Sequence, residues 1–325
     1  MIPALVLSPF TQQGAERLGA VSGYQILYGG SNPTEEQLEE AEVILGQPSW
    51  KQLSQAKNLK WVQIAYAGVD GYARELARFP QGVTLTNVTG AFGDCIGEYV
   101  LTMVMMLMKR MPQYAVQQQA QLWQDAGAEQ SPAGKTLLIL GAGDIGSATA
   151  RLFRPFGCRI VGVRRVPRQC PPEFDEMHTL EEVEQLLPQA DILVSALPST
   201  PATRGLLHEK RLGLLKPSAV LVNVGRGDLI DCAALARQLE EGKLFGAALD
   251  VTSPEPLPQD HPLWHAPNTI ITPHITGSSF GHLPETTEKI YKICLQNMAR
   301  YRDGQPLNNV VDLTVGYRLC DQPGS

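Results

Sequence analysis

This sequence predicts an α/β protein of two domains built on parallel sheets, the second sheet doubly wound, and three observations carry that expectation. Short apolar runs alternate with polar, helix-like stretches along most of the chain, which is the pattern of βα units. The runs are apolar almost throughout, as strands covered by helices on both faces must be. The length, 325 residues, exceeds one ordinary core and suits two.

In the first half, from Pro3 to Asn87, the segments ALVLS, QILY, EVILG, LKWVQIA and VTLTN read as strands, and Asn32 to Glu40 and Val69 to Arg78 read as helices. Next comes Asp94 to Met111, DCIGEYVLTMVMMLMKRM, long enough for about five turns of helix and apolar on nearly every face through its middle. A helix apolar all round is buried all round. It is expected either as core between two domains or as partly packed on a second subunit, and the two are compatible.

From Thr136 the pattern restarts, with TLLILG, RIVGV, DILVSALP, AVLVNVG, GAALDV and NTIITPH as strands. Pro284 to Arg302 reads as a final long helix, and the tail from Gly304 to Ser325, rich in Gly, Pro and Asn, is expected to lead back to the first domain. The expected division is therefore residues 1–98 with 284–325 for a discontinuous domain, and 99–283 for the other. No fixed-period repeat links the halves.

A net charge of −6 offers no basic stripe for nucleic acid or anionic lipid, so small partners are expected. Cys95, Cys158, Cys170, Cys232, Cys294 and Cys320 are scattered without a CxxC pair, which argues for free thiols in a reducing compartment. The start, MIPALVLSPF, lacks the basic n-region of a signal peptide and reads as a first buried strand. The most apolar stretch, Tyr99 to Met108, falls short of the roughly 20 residues that span a bilayer. These features predict a cytoplasmic protein. No metal site is expected: Pro262 and Pro267 deny His261 and His265 a shared helical face.

Gly141, Gly143 and Gly146 form GxGxxG directly after an apolar run and directly before a helical pattern. In that context the first glycine permits a tight turn, the second lets backbone approach a pyrophosphate, and the third lets helix pack on strand. Dinucleotide binding is the expectation. The next strand ends in Arg164 and Arg165, where an acid would usually meet the ribose hydroxyls of NAD; Glu173 and Asp175 come too late in the chain to occupy the strand tip. Two arginines add charge-assisted donors for a 2′-phosphate, so NADP(H) is expected over NAD(H), the alternative being that both arginines are merely solvated.

Arg226, Glu255 and His274 lie in NVGRGDLID, ALDVTSPEPLP and ITPHITG, each following an apolar strand-like run. Open α/β sheets keep their ligands at such strand ends. Reduction of a carbonyl leaves negative charge on oxygen, so a site beside a dinucleotide must donate a proton and hold the substrate. His274 suits the first task as general acid. Glu255, bonded to the far ring nitrogen, would fix its tautomer and favour the protonated ring. Arg226 offers the planar fork that matches a carboxylate, which points to a 2-oxo acid.

These segments resemble the D-isomer-specific 2-hydroxyacid dehydrogenase family: GAGDIG, DILVSALPSTPATRGLL, KPSAVLVNVGRGDLID, GAALDV with EPLP, and NTIITPH follow its signature segments in order over most of the chain. The resemblance implies a Rossmann dinucleotide domain plus a flavodoxin-like α/β substrate domain. It makes Arg226 the substrate-orienting arginine, Glu255 the partner acid and His274 the acid/base. It sets Asp250 near the nicotinamide carboxamide, and Val224 to Arg226, including Gly225, beside the nicotinamide ribose. Leu197 and Pro198 would border adenosine and pyrophosphate, and Asp144 and Ile145 would lend backbone to the phosphates. IAYAGVD looks like the family's substrate loop, with amides at Ala67 and Gly68 receiving the substrate carboxylate. The family is usually homodimeric through the dinucleotide domain.

The leading expectation is an NADPH-dependent reductase of small 2-oxo acids such as glyoxylate or hydroxypyruvate, giving the D-hydroxy acid. The GVRR strand tip favours it over an NAD-linked phosphoglycerate or D-lactate-type dehydrogenase. The end of the chain without a regulatory domain disfavours the long phosphoglycerate enzymes. A dinucleotide-sensing, corepressor-like interaction protein is the alternative of another class. The substrate's side-chain pocket is expected from loops such as Gly46 to Trp50 and Ser278 to Leu283, with core packing an equal alternative for Trp50.

Overall fold

Two separate parallel sheets form in the computed structural model, which describes residues 1–165, 170–277 and 283–318. They belong to two units, Met1–Ala91 with Ser279–Ser325, and Phe92–Ser278.

The first unit runs β1 (Ile2–Leu7), α1 (Gln12–Leu18), β2 (Tyr24–Gly30), α2 (Glu35–Glu40), β3 (Val43–Leu45), α3 (Trp50–Gln55), β4 (Trp61–Gln63), α4 (Asp70–Arg74) and β5 (Thr84–Thr86). The strand order is β2-β1-β3-β4-β5, all parallel, which is the flavodoxin order. Helix starts are set locally: Thr34 and Ser49 close capping boxes with Gln37 and Gln52. The core is Leu5, Ile44, Val62, Ile64 and Leu85 under Leu38 and Leu53.

The chain returns to this sheet through its last long helix, α11 (Pro284–Arg302). A buried polar network ties it down. Asn297 Nδ2 donates to Gln63 Oε1 at 2.8 Å, the same oxygen that accepts from Thr86 Oγ1 at 2.8 Å, while Trp61 Nε1 donates to Thr86 Oγ1. Asn297 also exchanges hydrogen bonds with the backbone of Asn308. Every member is satisfied, so the network specifies one seat for the helix.

The second unit runs α5 (Gly93–Met108), α6 (Met111–Gln119), β6 (Thr136–Leu140), α7 (Asp144–Phe153), β7 (Arg159–Val163), β8 (Glu176–His178), α8 (Val183–Leu186), β9 (Ile192–Ser195), α9 (Glu209–Leu212), β10 (Val220–Asn223), α10 (Cys232–Glu240), β11 (Gly246–Leu249) and β12 (Thr269–Ile271). The order β12-β11-β10-β9-β6-β7-β8 is the doubly wound dinucleotide order with one strand added, reversing direction between β6 and β9. Leu138, Leu193, Leu221 and Leu249 fill the core of one face.

Helix α5 buries Ile96, Gly97, Val100, Val104 and Leu107 within its own unit. Gly97 makes this possible: a Cβ there would lie 3.1 Å from Leu152 and 3.3 Å from the Thr149 amide, so α5 packs backbone-close on α7. The division read from sequence at residue 98 falls inside this continuous helix, whereas the units divide before it. The helix stops at Lys109, Arg110 turns left-handed, and α6 restarts with no buried residue. Exposed apolar side chains collect here: Met111, Tyr114, Val116, Leu122 and Trp123.

Candidate active site

The glycine turn joins β6 to α7 at the point where strand order reverses. Gly141 has φ 106°, and a Cβ there would press 2.9 Å from the backbone of Ala196; a Cβ on Gly146 would come 2.3 Å from Gly141 O. The helix therefore starts hard against its strand. Among the described residues no hydrogen bond uses the backbone N–H of Gly143, Ile145 or Gly146. These orphan donors, with the positive end of the α7 dipole, fit a pyrophosphate. Asp144 opens the helix, its carboxylate turned toward α5: a Cβ on Gly93 would lie 2.6 Å from Asp144 Oδ1.

Neighbouring strand ends complete the edge. Leu197 is buried past β9 and Val224 past β10, the Val224 amide bonding Ser195 O at 2.9 Å. Gly225 fits against Leu197, whose carbonyl oxygen a Cβ would meet at 2.5 Å. Pro198 O accepts from Thr203 Oγ1 at 2.6 Å, which folds the loop after β9. Arg164, half-buried, and Arg165, exposed, follow β7 directly. The acids that come later in the chain sit at the other end of that strand: Asp175 accepts from the Ile160 amide at 2.7 Å and from Arg154 at 2.8 Å, and Glu173 pairs with Arg151. Val166 to Arg168, Ser278 to His282 and Cys320 lie outside the described residues.

Arg226, Glu255 and His274 follow β10, β11 and β12, three adjacent parallel strands whose ends stand about 5 Å apart. His274 Nδ1 and Glu255 Oε1 are 2.7 Å apart, each side chain 42% exposed. The imidazole and carboxylate expected to pair are thus in hydrogen-bond contact. Arg226 is held by its flanks. Buried Asn223 accepts from the Gly225 amide at 3.1 Å and donates to Arg226 O at 3.0 Å, folding the turn around it. Gly227 lies so close to the loop after β11 that a Cβ would overlap Thr252 O at 1.8 Å. Glycines on both sides therefore let the Arg226 turn nest between the neighbouring loops. The guanidinium Nη1 donates to Gly225 O at 2.8 Å.

Asp250, 1% exposed, is committed to the next loop. Its Oδ1 accepts from Thr272 Oγ1 at 2.6 Å and the Ile275 amide at 2.9 Å, and its Oδ2 from the amide and hydroxyl of Thr276 at 3.1 and 2.5 Å. The His274 amide adds a bond to Asp250 O at 2.9 Å, and His274 itself is left-handed, with φ 53°. Sequence reasoning did not single out Asn223, Thr252, Thr272 or Thr276 for these duties; Asn and Thr flanking a functional residue at a strand end were the available signal.

In the first unit, Ala67 and Gly68 lie in the half-buried loop after β4. Asn87 Nδ2 donates to Ala67 O at 2.8 Å, turning that carbonyl inward, and among the described residues no hydrogen bond uses the N–H of Ala67 or Gly68. Trp50 packs edge-on against Tyr72 at 5.4 Å and under Arg78 at 5.0 Å, within its own unit's core. Among the described residues no group of His, Cys, Asp and Glu is placed to hold a metal, and no helix is long and apolar enough to cross a membrane.

Residues 101–276 match the family model for the D-isomer specific 2-hydroxyacid dehydrogenase NAD binding domain. The chain is 32% identical to glyoxylate/hydroxypyruvate reductase A of Serratia proteamaculans, over 84% of this chain and 87% of that one. Among solved structures it is similar to a D-isomer specific 2-hydroxyacid dehydrogenase family protein from Aeromonas salmonicida, with 37% identity, TM-score 0.82, and 96% of this chain and 100% of that one covered. It is also similar to an NADPH-dependent glyoxylate/hydroxypyruvate reductase from Sinorhizobium meliloti in complex with NADP and sulfate, with 26% identity, TM-score 0.81, and 98% and 100% covered.

Proposed function

The chain belongs to the D-isomer specific 2-hydroxyacid dehydrogenase family, an NAD(P)-using oxidoreductase family, and on that premise we propose that it reduces a small 2-oxo acid of the glyoxylate or hydroxypyruvate kind, with NADPH, to the D-2-hydroxy acid. The observation that carries this is the 2.7 Å contact between His274 and Glu255 at strand ends adjoining that of Arg226. The coenzyme, when bound on the glycine turn, supplies the hydride. Arg226 holds the substrate carboxylate with its planar fork and sets the carbonyl's orientation. With Nδ1 committed to Glu255, Nε2 of His274 is the atom assigned to protonate the carbonyl oxygen as negative charge develops there. The amides of Ala67 and Gly68, used by no hydrogen bond among the described residues, support the binding of an anionic group by the first unit.

Preference for NADPH rests on Arg164 and Arg165 at the β7 tip and on the diversion of Glu173 and Asp175 to its far end. The exposed apolar arm from Met111 to Trp123 supports a homodimer in which a second copy covers it, since such a cluster on one segment is costly in water. Cys95, Cys158, Cys170, Cys232 and Cys294 are free thiols, which supports a reducing compartment such as the cytoplasm. The test is a panel of 2-oxo acids assayed with both coenzymes, followed by His274→Ala. Turnover of glyoxylate or hydroxypyruvate is expected, falling roughly 10²-fold or more in the variant while NADPH affinity holds. A parent protein that turns over no 2-oxo acid, or a variant of undiminished kcat, overturns the reading.

A further inference from the structure

We propose that Tyr99 is a positioning residue for His274, acting through Thr272 and Asp250; the proposal rests on the acid/base role assigned to His274 above. The Asp250 carboxylate can only accept, so the Thr272 hydroxyl proton at 2.6 Å points to it. Thr272 Oγ1 has one proton, already spent, and therefore accepts from Tyr99 Oη, also 2.6 Å away. The chain of donation runs from α5, through Thr272, to a buried carboxylate just past β11. Burial pushes the Tyr99 hydroxyl up to about 12, so it remains a donor through the physiological range.

At its far end this chain holds a segment that would otherwise relax. His274 is left-handed, a conformation that a residue with a Cβ adopts only when its surroundings impose it. What imposes it is Asp250, with a carbonyl bonded to the His274 amide and a carboxylate accepting four hydrogen bonds from Thr272, Ile275 and Thr276. Those four bonds occupy the carboxylate's acceptor sites. Asp250 is thereby a clamp on the histidine loop, and Tyr99 orients the one hydroxyl in that clamp that comes from the strand side. None of these contacts touches the imidazole itself, whose Nδ1 goes to Glu255.

The experiment compares Tyr99→Phe, Thr272→Val, Thr272→Ser and the double variant Tyr99→Phe/Thr272→Val with the parent, using glyoxylate and NADPH. One lost hydrogen bond changes the population of a held conformation by roughly 2- to 10-fold. Tyr99→Phe is expected to lower kcat roughly threefold and Thr272→Val about 10-fold, with KM for glyoxylate and Kd for NADPH within about twofold of the parent. Thr272→Ser keeps both hydrogen bonds and should restore kcat, and the double variant should be no worse than Thr272→Val alone. Independently of turnover, the Ile275 and Thr276 amides should exchange with solvent faster in Thr272→Val and at the parental rate in Thr272→Ser. Unchanged kcat in Tyr99→Phe or in Thr272→Val, a serine variant as poor as valine, or unchanged amide exchange overturns the proposal. A parent without oxo-acid turnover would instead sink the functional reading, and the exchange measurement would still decide whether the clamp exists.

Discussion

Replacing Gly227 by alanine tests whether the Arg226 turn owes its place to backbone proximity. The added Cβ would stand 1.8 Å from Thr252 O, 2.0 Å from its carbonyl carbon and 2.6 Å from its Cα. Ordinary close C···O contacts begin near ~3.3 Å, so the two loops must part by roughly 1.5 Å. Backbone meets backbone here, and no flexible side chain can give way. Overpacking of this kind costs about 1–3 kcal/mol, and the upper end applies where the obstacle is main chain. Asn223 bonds Arg226 O, so the displacement passes to the arginine next door. A misplacement of that size in a group with the substrate-holding role proposed for Arg226 should lower kcat/KM roughly 10²-fold. Urea denaturation gives the stability term, and steady-state assays with glyoxylate and NADPH give the kinetic one. Gly71→Ala is the control: a Cβ there meets nothing within 4 Å, and alanine in the α4 turn should be neutral or stabilising by up to about 1 kcal/mol. If Gly227→Ala keeps both the parental denaturation midpoint and the parental kcat/KM, the close-packed account of the turn is wrong.

Removing Arg164 and Arg165 together as alanines should cut the NADPH-to-NADH ratio of kcat/KM by roughly 10- to 100-fold, mostly through NADPH; an unchanged ratio removes their assignment as 2′-phosphate readers. His178 should lend pH-dependent stability. Glu182 at 2.8 Å, with Glu176 beyond it, raises its pKa, so the contribution is complete below the unfolded value of about 6.5 and is lost as pH rises through the higher folded one. The urea midpoint should fall more steeply in the parent than in His178→Gln as pH rises above about 6.5, and equal slopes would count against the pair. Trp123→Ser with Val116→Ser should shift the protein toward monomer in sedimentation, and a parent that is monomeric at all concentrations rules out the covered arm.

Most strands of the two sheets were readable because, like β3, β9, β10 and β11, they are buried on both faces and so appear as uninterrupted apolar runs; RIVGV marks β7 residue for residue. β8 escaped because Glu176, Met177 and His178 form a short, half-exposed edge strand with neither alternation nor an apolar run. The all-apolar helix after Asp94 was foreseen, but its burial partner was not. Gly97 seats it on α7, Leu101, Met105 and Met106 stay half-buried, and the exposed large apolar side chains lie on the next segment, at Met111 to Trp123.

For the site, the amino-acid order alone determined the kinds of group available at each strand end: a glycine turn, two arginines, and a guanidinium, carboxylate and imidazole in succession. Local chain stiffness and residue chemistry suffice for that, because a strand must end where its apolar run ends and a glycine turn must precede a helix. Only the tertiary structure decided which of these groups touch. The 2.7 Å bond between His274 and Glu255, the diversion of Asp175 to the start of β7 and the closing of the Asp250 carboxylate on the Thr272 to Thr276 loop all join residues on different strands or loops. Their distances follow from strand order and from backbones brought within ångströms at Gly225 and Gly227, and strand order is a property of the assembled sheet that no local stretch of chain contains.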